Sequence, residues 1–463
     1  MEKKKLARRY IYRFVCDTVF LILAVCSFDV SWYQFVSENN QTGHLLGHGN
    51  LLMAIIIYGV LFYTIRRWLG AFRIGVERKA KCIVGLVVTI LMTNSIEVFV
   101  SMAITGQFRF AGQFGVIYFW LSIIQIIVLG FLMVFMIDVY WLIIPPLKLL
   151  VIEGEYQNFL PEKIADLKHK YQVSKIISAS LPDDELEKEI EKSEAVLIND
   201  VVAKKQNSIV KKCFELDKRV YVVPKLSEII LKTSENLNVL DTPLYLCRNM
   251  GMKLWQRLAK RIFDIVFSIL ALFLFSPILL ITAIAIKLED GGPVFFTQER
   301  ITRGGKHFKI FKFRSMIVDA EKDGKPHPAG VKDDRITKVG HLIRACRIDE
   351  MPQFFNILKG DMSLVGPRPE RCEHVEKYSA EIPEFQYRHK VKGGLTGYAQ
   401  VYGKYNTSAL DKLKLDLIYI TNYSLLLDFQ IICETLKILF EKESTEGFGE
   451  EQIEEIFAAE RYK

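Results

Sequence analysis

The sequence predicts a membrane-anchored, mainly helical protein in successive parts: a four-helix transmembrane bundle over residues 1–147, a small α/β domain over 148–250, a mainly α, mixed α/β domain over 251–440, and an acidic tail over 441–463. Three observations predict it. Apolar runs near 11–33, 51–65, 82–104 and 115–144 each approach the roughly 20 residues a helix needs to cross a bilayer. Between 148 and 250, short β-rich runs alternate with helical stretches, the pattern of a parallel sheet. A further apolar run over 261–287 is interrupted by Ser276-Pro277 and flanked by cations on both sides, which predicts a re-entrant membrane helix.

At 463 residues the chain exceeds a single core, and 50% hydrophobic residues beside 25% charged ones require the apolar excess to be concentrated in membrane segments. The opening Lys3-Lys4-Lys5 followed by an apolar run resembles a signal peptide, but the run is too long and has no small-residue cleavage site. Orientation follows from the short loops. Arg66, Arg67, Arg73, Arg78, Lys79 and Lys81 crowd one of them, whereas 34–50 has no Lys or Arg and 105–114 has only Arg109. The basic loop is therefore inside, which places both ends of the bundle, and everything after Pro145-Pro146, in the cytosol of a multi-pass inner (plasma) membrane protein. A net charge of +8, from 61 Lys+Arg against 53 Asp+Glu, is too modest for a nucleic-acid partner and suits membrane lipid and phosphorylated ligands. The eight cysteines lack CxxC spacing, so neither a zinc site nor a disulfide framework is expected.

In the α/β domain the strands are expected at Lys175-Ile176-Ile177-Ser178-Ala179, Ala195-Val196-Leu197-Ile198 and Arg219-Val220-Tyr221-Val222-Val223, with helices over 184–192 and 208–216. The segment Val151-Ile152-Glu153-Gly154-Glu155 offers a single glycine and no G-x-G-x-x-G, which favours a scaffolding or dimerising role over nucleotide binding. The run over 261–287 is long enough to cross, yet Pro277 removes a backbone hydrogen bond, and Arg257, Lys260, Arg261 and Lys287 suit a helix whose two ends both stay on the cytosolic face. Gly251 and Gly291, on either side of it, are then both cytosolic. Strands follow at 293–297 and 307–314, and the polar loop 319–334, with Gly324, Pro326, Pro328 and Gly330, is a candidate lid. Helices are expected over 408–423 and 426–440.

The chemical centre is the stretch 344–371. Asp349-Glu350 precedes Pro352 and the apolar Phe354, Phe355, Ile357 and Leu358, with Gly360 able to close the helix, so both carboxylates are expected at a helix N-terminus, where free N–H groups favour anions. An Asp-Glu pair before a helix is most often an ordinary cap. Here Arg344 and Arg347 lie just before the pair, and Arg368 stands in the rigid turn Val365-Gly366-Pro367-Arg368-Pro369, followed by Arg371. A guanidinium held there suits a phosphate.

Four motifs then stand in order: Lys312-Phe313-Arg314-Ser315-Met316, Asp349-Glu350-Met351-Pro352-Gln353, Ser363-Leu364-Val365-Gly366-Pro367-Arg368-Pro369, and Gly394-Leu395-Thr396-Gly397-Tyr398-Ala399-Gln400-Val401. Together, over about 260–440, they resemble the catalytic domain of the bacterial sugar transferases, the polyprenyl-phosphate phosphoglycosyl transferases that start capsule, exopolysaccharide and O-antigen repeat units. The resemblance implies transfer of a sugar 1-phosphate from a UDP-sugar to undecaprenyl phosphate with release of UMP. It implies a Rossmann-like fold for 148–250, supports re-entry at Ser276 and Pro277, and admits a homodimer. Within that reading Asp349 is the nucleophile that forms a phosphoaspartyl intermediate, and Glu350 is a base or, with Asp349, a ligand of Mg²⁺. Lys312, Arg314, Arg344, Arg347 and Arg368 hold phosphate, and Gly394, Thr396 and Gly397 let backbone approach the nucleotide. Two other readings stay open: a non-covalent Mg²⁺-dependent transferase, and a non-catalytic membrane scaffold. The sequence does not choose among glucose, galactose and an N-acetylated sugar.

Overall fold

The computed structural model describes residues 2–39, 48–70, 74–75, 77, 79–154, 160–165, 167–247, 252–318, 320, 333–403 and 407–439. Gly251, most of the expected lid and the acidic tail lie outside the described residues, as do Arg73 and Arg78. The chain divides into two compact units, Met1–Val223 and Pro224–Lys463. The division places the end of the 148–250 stretch with the second unit.

The first unit opens with helices α1 (Glu2–Asn39), α2 (His48–Trp68), α3 (Lys79–Thr105) and α4 (Ala111–Ile143), the last preceded by a 3-10 turn at Phe108–Phe110. Each of the four expected runs falls in one of these helices, and each helix is long and apolar enough to cross a membrane. Lipid chains are as apolar as leucine, so such helices associate through packing and interhelical hydrogen bonds. The bundle has both. Phe28 stacks on Tyr58 at 4.2 Å and Trp32 on Phe114 at 5.7 Å. Buried polar side chains tie the helices together: Asn94 Nδ2 donates to Ser122 Oγ at 2.8 Å, Gln125 Nε2 to Ser27 Oγ at 2.8 Å, and Tyr58 Oη to Asn94 Oδ1 at 3.1 Å. Arg66 of the basic loop is buried and pairs with Asp17 at 3.1 Å, so its charge is answered inside the bundle.

The same unit continues with β1 (Leu147–Glu153), α5 (Leu160–Ala165), β2 (Tyr171–Ser178), α6 (Asp183–Lys192), β3 (Ala195–Asn199), α7 (Ala203–Glu215) and β4 (Arg219–Val222). The strands form one parallel sheet in the order β2-β1-β3-β4. Every residue of β3 is buried, as in a central parallel strand covered on both faces. This order is that of the flavodoxin-like winding, whereas the dinucleotide-binding Rossmann winding runs 3-2-1-4, so the Rossmann-like expectation reduces to a small parallel α/β sheet. Gly154 has a packing duty: a Cβ there would lie 1.9 Å from the Asp200 carbonyl oxygen.

The second unit begins with α8 (Leu226–Leu231) and an antiparallel hairpin, β5 (Glu235–Val239) and β6 (Thr242–Leu246). The hairpin is exposed at every position, so it carries no alternation for a sequence reading to detect. Then comes α9 (Leu254–Asp290), a fifth helix long and apolar enough to cross a membrane. It is continuous through Ser276-Pro277, where a break was expected. Pro277 has no N–H for the Phe273 carbonyl, and the Ser276 hydroxyl donates to that oxygen instead at 2.8 Å.

A hairpin of β7 (Phe295–Ile301) and β8 (His307–Phe313) leads to α10 (Lys338–Ala345) and α11 (Gln353–Lys359). β9 (Ser363–Val365), α12 (Cys372–Glu381), β10 (Gly394–Thr396) parallel to β9, α13 (Tyr398–Tyr402), α14 (Ala409–Thr421) and α15 (Leu425–Leu439) complete the unit. Its core gathers Ile357, Val365, Phe385, Leu413, Leu417 and Ile431. Near its start α9 is pinned by polar contacts. Lys260 pairs with Asp428 at 2.6 Å, and Asp264 accepts from Ser363 Oγ and the Leu364 N–H, both at 3.0 Å. At its end Arg314 grips Asp290, and Glu289 accepts from the Lys338 N–H at 2.7 Å.

Candidate active site

Three pieces of backbone meet at the carboxylate pair: the end of β8, a 3-10 turn at Ile348–Glu350, and the turn after β9. The pair does not cap α11, as was expected. Pro352 is the N-cap, and the carboxylates stand one turn earlier, after Arg347 in the left-handed conformation at φ 56°. Their electrostatic support comes instead from side-chain cations. Glu350 is buried; its Oε1 accepts from Lys312 Nζ at 3.0 Å and Arg368 Nη2 at 2.6 Å, and its Oε2 accepts from Arg368 Nη1 at 3.4 Å. Burial alone would raise the Glu350 pKa, but Arg368 and Lys312 outweigh it and hold the carboxyl well below its usual range. Burial draws the Lys312 pKa down, with Glu350 opposing, and Glu350 drives that of Arg368 up.

Asp349 is in the opposite condition. Its Oδ1 is buried with no hydrogen-bond partner. Burial, then the neighbouring Glu350 charge, raises its pKa, while Lys312, Arg344 and Arg347 pull it back. An ionised oxygen here is poorly solvated and faces cations, the condition of an activated carboxylate nucleophile.

The turn that presents Arg368 is built from behind. Its carbonyl accepts from Arg388 Nη2 at 3.1 Å, and Arg388 is itself paired with buried Asp416 at 2.8 Å. Burial lifts the Asp416 pKa to about 6, against the pull of Arg388. Arg300 Nη1 donates to the Pro369 carbonyl at 3.2 Å. Gly394 and Gly397, expected to admit a nucleotide, admit protein: a Cβ on Gly394 would lie 2.1 Å from the Gly366 nitrogen, and one on Gly397 2.1 Å from the Gly366 oxygen. The Thr396 carbonyl accepts from the Gly366 N–H at 2.9 Å, and its hydroxyl meets Thr435 at 2.6 Å. These residues form the floor beneath the Pro-Arg-Pro turn. Arg314 is likewise committed, to Asp290 at 2.8 Å.

The structure thus brings Lys312, Asp349, Glu350 and Arg368 together, with Arg344 and Arg347 near enough to act on Asp349. Arg388, Asp416 and Arg300 were not legible in the sequence, because their partners lie far along the chain and no local spacing announces them. The donor set fits Mg²⁺ in the way that ion is commonly held, by one or two carboxylates with substrate phosphates completing the shell. Asp349 Oδ1 is the free donor. Glu350 would have to release Lys312 or Arg368 to join it.

Arg368→Lys keeps the charge but cannot fork onto both oxygens of Glu350 or onto two oxygens of a phosphate. The expected cost is about 1.5–3 kcal/mol in kcat/KM, the scale of a hydrogen bond to a charged group. Wild-type kinetics with only a lowered Tm would confine Arg368 to a structural duty.

Five apolar helices and a buried carboxylate set among cations define the class, a membrane transferase. Residues 255–442 match the family model described as bacterial sugar transferase. The chain is 41% identical over 241 residues to UDP-N-acetylgalactosamine-undecaprenyl-phosphate N-acetylgalactosaminephosphotransferase of Aeromonas hydrophila, covering 50% of this chain and 53% of that protein. It is 47% identical over 182 residues to UDP-glucose:undecaprenyl-phosphate glucose-1-phosphate transferase of Klebsiella pneumoniae, covering 38% and 39%. A protein of the same name from Caulobacter vibrioides is 44% identical over 189 residues, covering 39% of this chain and 70% of that one. The chain belongs to the bacterial sugar transferase family. It spans about half, or less, of the length of the Aeromonas and Klebsiella relatives.

Proposed function

We propose that this protein transfers a sugar 1-phosphate from a UDP-sugar to undecaprenyl phosphate, with Asp349 as covalent nucleophile. The observation that carries the reading is the buried, unpartnered Oδ1 of Asp349 beside the Glu350–Lys312–Arg368 cluster. In the first half, Asp349 attacks the β-phosphorus. The bond from that phosphorus to the bridging oxygen breaks, and UMP departs with the oxygen and the electron pair. In the second half, an oxygen of the lipid phosphate attacks the same phosphorus, and the Asp349 carboxylate is released. Arg344, Arg347 and Arg368 hold phosphoryl oxygens during both displacements. Lys312 and Arg368 are held in place by Glu350. Mg²⁺, when bound, neutralises diphosphate charge, with Asp349 as its protein ligand.

The decisive measurement is exchange of labelled UMP into UDP-sugar in the absence of lipid acceptor, run over UDP-glucose, UDP-galactose and N-acetylated UDP-sugars. A covalent route gives exchange; a direct transfer gives none. The same panel identifies the sugar, for which the names of the relatives include both glucose and N-acetylgalactosamine.

The pH profile tests the state of Asp349. A carboxyl with a raised pKa ionises only above the ordinary aspartate range, so the acid limb of kcat/KM is expected above about pH 4. Because Arg344 lowers the Asp349 pKa, Arg344→Ala should move that limb to higher pH. A limb that stays in place removes Arg344 from the site.

The topology belongs to the same proposal. Both ends of α9 are gripped by one folded unit, through Lys260 and Asp264 at one end and Glu289 and Asp290 at the other, while Ile269, Phe273, Leu274 and Ile281 between them are exposed and apolar. This supports a helix that dips into the membrane and returns, leaving the catalytic unit cytosolic. Cysteines at Lys253 and Gly291, in a cysteine-free background, are expected to resist an impermeant thiol reagent in intact cells and to react after permeabilisation. Labelling of only one of them in intact cells would mean a true crossing.

A further inference from the structure

An open pocket at the base of α9 is lined by six cations, Arg257, Lys260, Arg261, Arg303, Lys390 and Lys392, against the single carboxylate of Asp264. That carboxylate is already spent on Ser363 and the Leu364 N–H. Lys260 is answered by Asp428, and Arg261 donates to the carbonyls of Ile357 and Leu358. Arg257, Arg303, Lys390 and Lys392 have no ion-pair partner among the described residues. Burial, then the nearby Arg261, disfavours the charged form of Lys392, with Asp264 opposing.

The opposite face of the same stretch of α9 is apolar. Trp255, Leu258, Ile262 and Val266 recur at helical spacing along α9 and are all exposed. Cations without counter-charge at the foot of an apolar helix suit the phosphate of a lipid held where that helix meets the membrane interface.

We propose that this pocket holds the headgroup phosphate of an anionic membrane phospholipid, which anchors the base of α9 to the second unit. The geometry argues against the reacting phosphate. Arg261 sits at the C-terminal end of α11, whereas Asp349 precedes its N-terminus, and seven residues of helix separate the two ends by about 10 Å. The inference depends only on α9 lying in a membrane and is independent of the chemistry assigned to Asp349.

The test uses the full-length protein in detergent, titrated with phosphatidylglycerol or phosphatidylcholine, with bound lipid counted by native mass spectrometry. Wild type is expected to retain phosphatidylglycerol about tenfold more tightly than phosphatidylcholine, and Arg303→Gln/Lys392→Gln to lose that preference. If the double variant fails to fold, exposed Arg257→Gln alone is expected to weaken the preference. Equal retention of the two lipids, or an unchanged preference in the folded variants, overturns the proposal. Displacement of phosphatidylglycerol by equimolar polyprenyl phosphate or UDP also overturns it, because the pocket would then belong to a substrate.

Discussion

Asp349→Asn is expected to reduce kcat to less than about a hundredth of wild type, a loss of more than about 2.7 kcal/mol, because an amide cannot attack phosphorus. The fold should not suffer. Asp349 Oδ1 makes no hydrogen bond, and burial raises the carboxyl pKa, so at neutral pH the ionised side chain costs the folded state stability. The sign follows from linkage. A carboxyl with a raised folded pKa binds its proton more tightly in the folded state, so its unfavourable contribution grows as pH rises from the unfolded pKa through the folded one. The Asn variant is therefore expected to match or exceed the wild-type Tm at pH 7, with the difference vanishing below about pH 4. Exchange of UMP into UDP-sugar should disappear with turnover. A variant that retains more than about a hundredth of kcat would remove Asp349 as nucleophile.

Glu350→Gln should damage both activity and stability, for the opposite reason. Its carboxylate is the shared anion of Lys312 and Arg368, and an amide leaves those cations packed together without a counter-charge. Breaking a buried pair in this way costs about 3–5 kcal/mol. The depressed Glu350 pKa makes its stabilisation fully present above about pH 4.5 and progressively lost as pH falls through the lower folded value. The gap in Tm between wild type and Gln variant should therefore narrow under strongly acid conditions. Adding Lys312→Met to Glu350→Gln should recover part of the stability and none of the activity, since it removes a buried charge and also a cation of the cluster. The Mg²⁺ titration distinguishes the two duties considered for this residue. With Glu350 occupied by cations, the midpoint is expected to move little in whatever activity the Gln variant retains, and a large shift would restore it as a metal ligand.

Much of the architecture was legible because its signals are local. Apolar runs near the length a bilayer needs announced α1 to α4, and β-rich runs bounded by polar turns announced β2, β3 and β4. The motif around Asp349 and the Pro-Arg-Pro turn singled out residues that the structure brings together. The β5–β6 hairpin escaped because an element exposed on both faces has no hydrophobic period, and α9 ran on through Pro277 because a neighbouring hydroxyl took over the orphaned carbonyl.

By itself the sequence determined which segments are long and apolar enough to cross a membrane and which residue types are on hand for the chemistry, since hydrophobic length and residue type are properties of the chain. Only the tertiary structure decided what each polar group meets. Glu350 is 38 residues from Lys312 and 18 from Arg368, Arg388 is 28 from Asp416, and nothing in their local spacing ranks these partners above Asp290 or Glu370. The glycines of the last motif follow the same logic: Gly394 and Gly397 are small because the backbone of Gly366 lies against them, a contact between segments that are separated by an intervening helix and turn. Charge pairing and close backbone approach depend on where the fold delivers each segment in space, whereas membrane length and helix-breaking chemistry are fixed residue by residue.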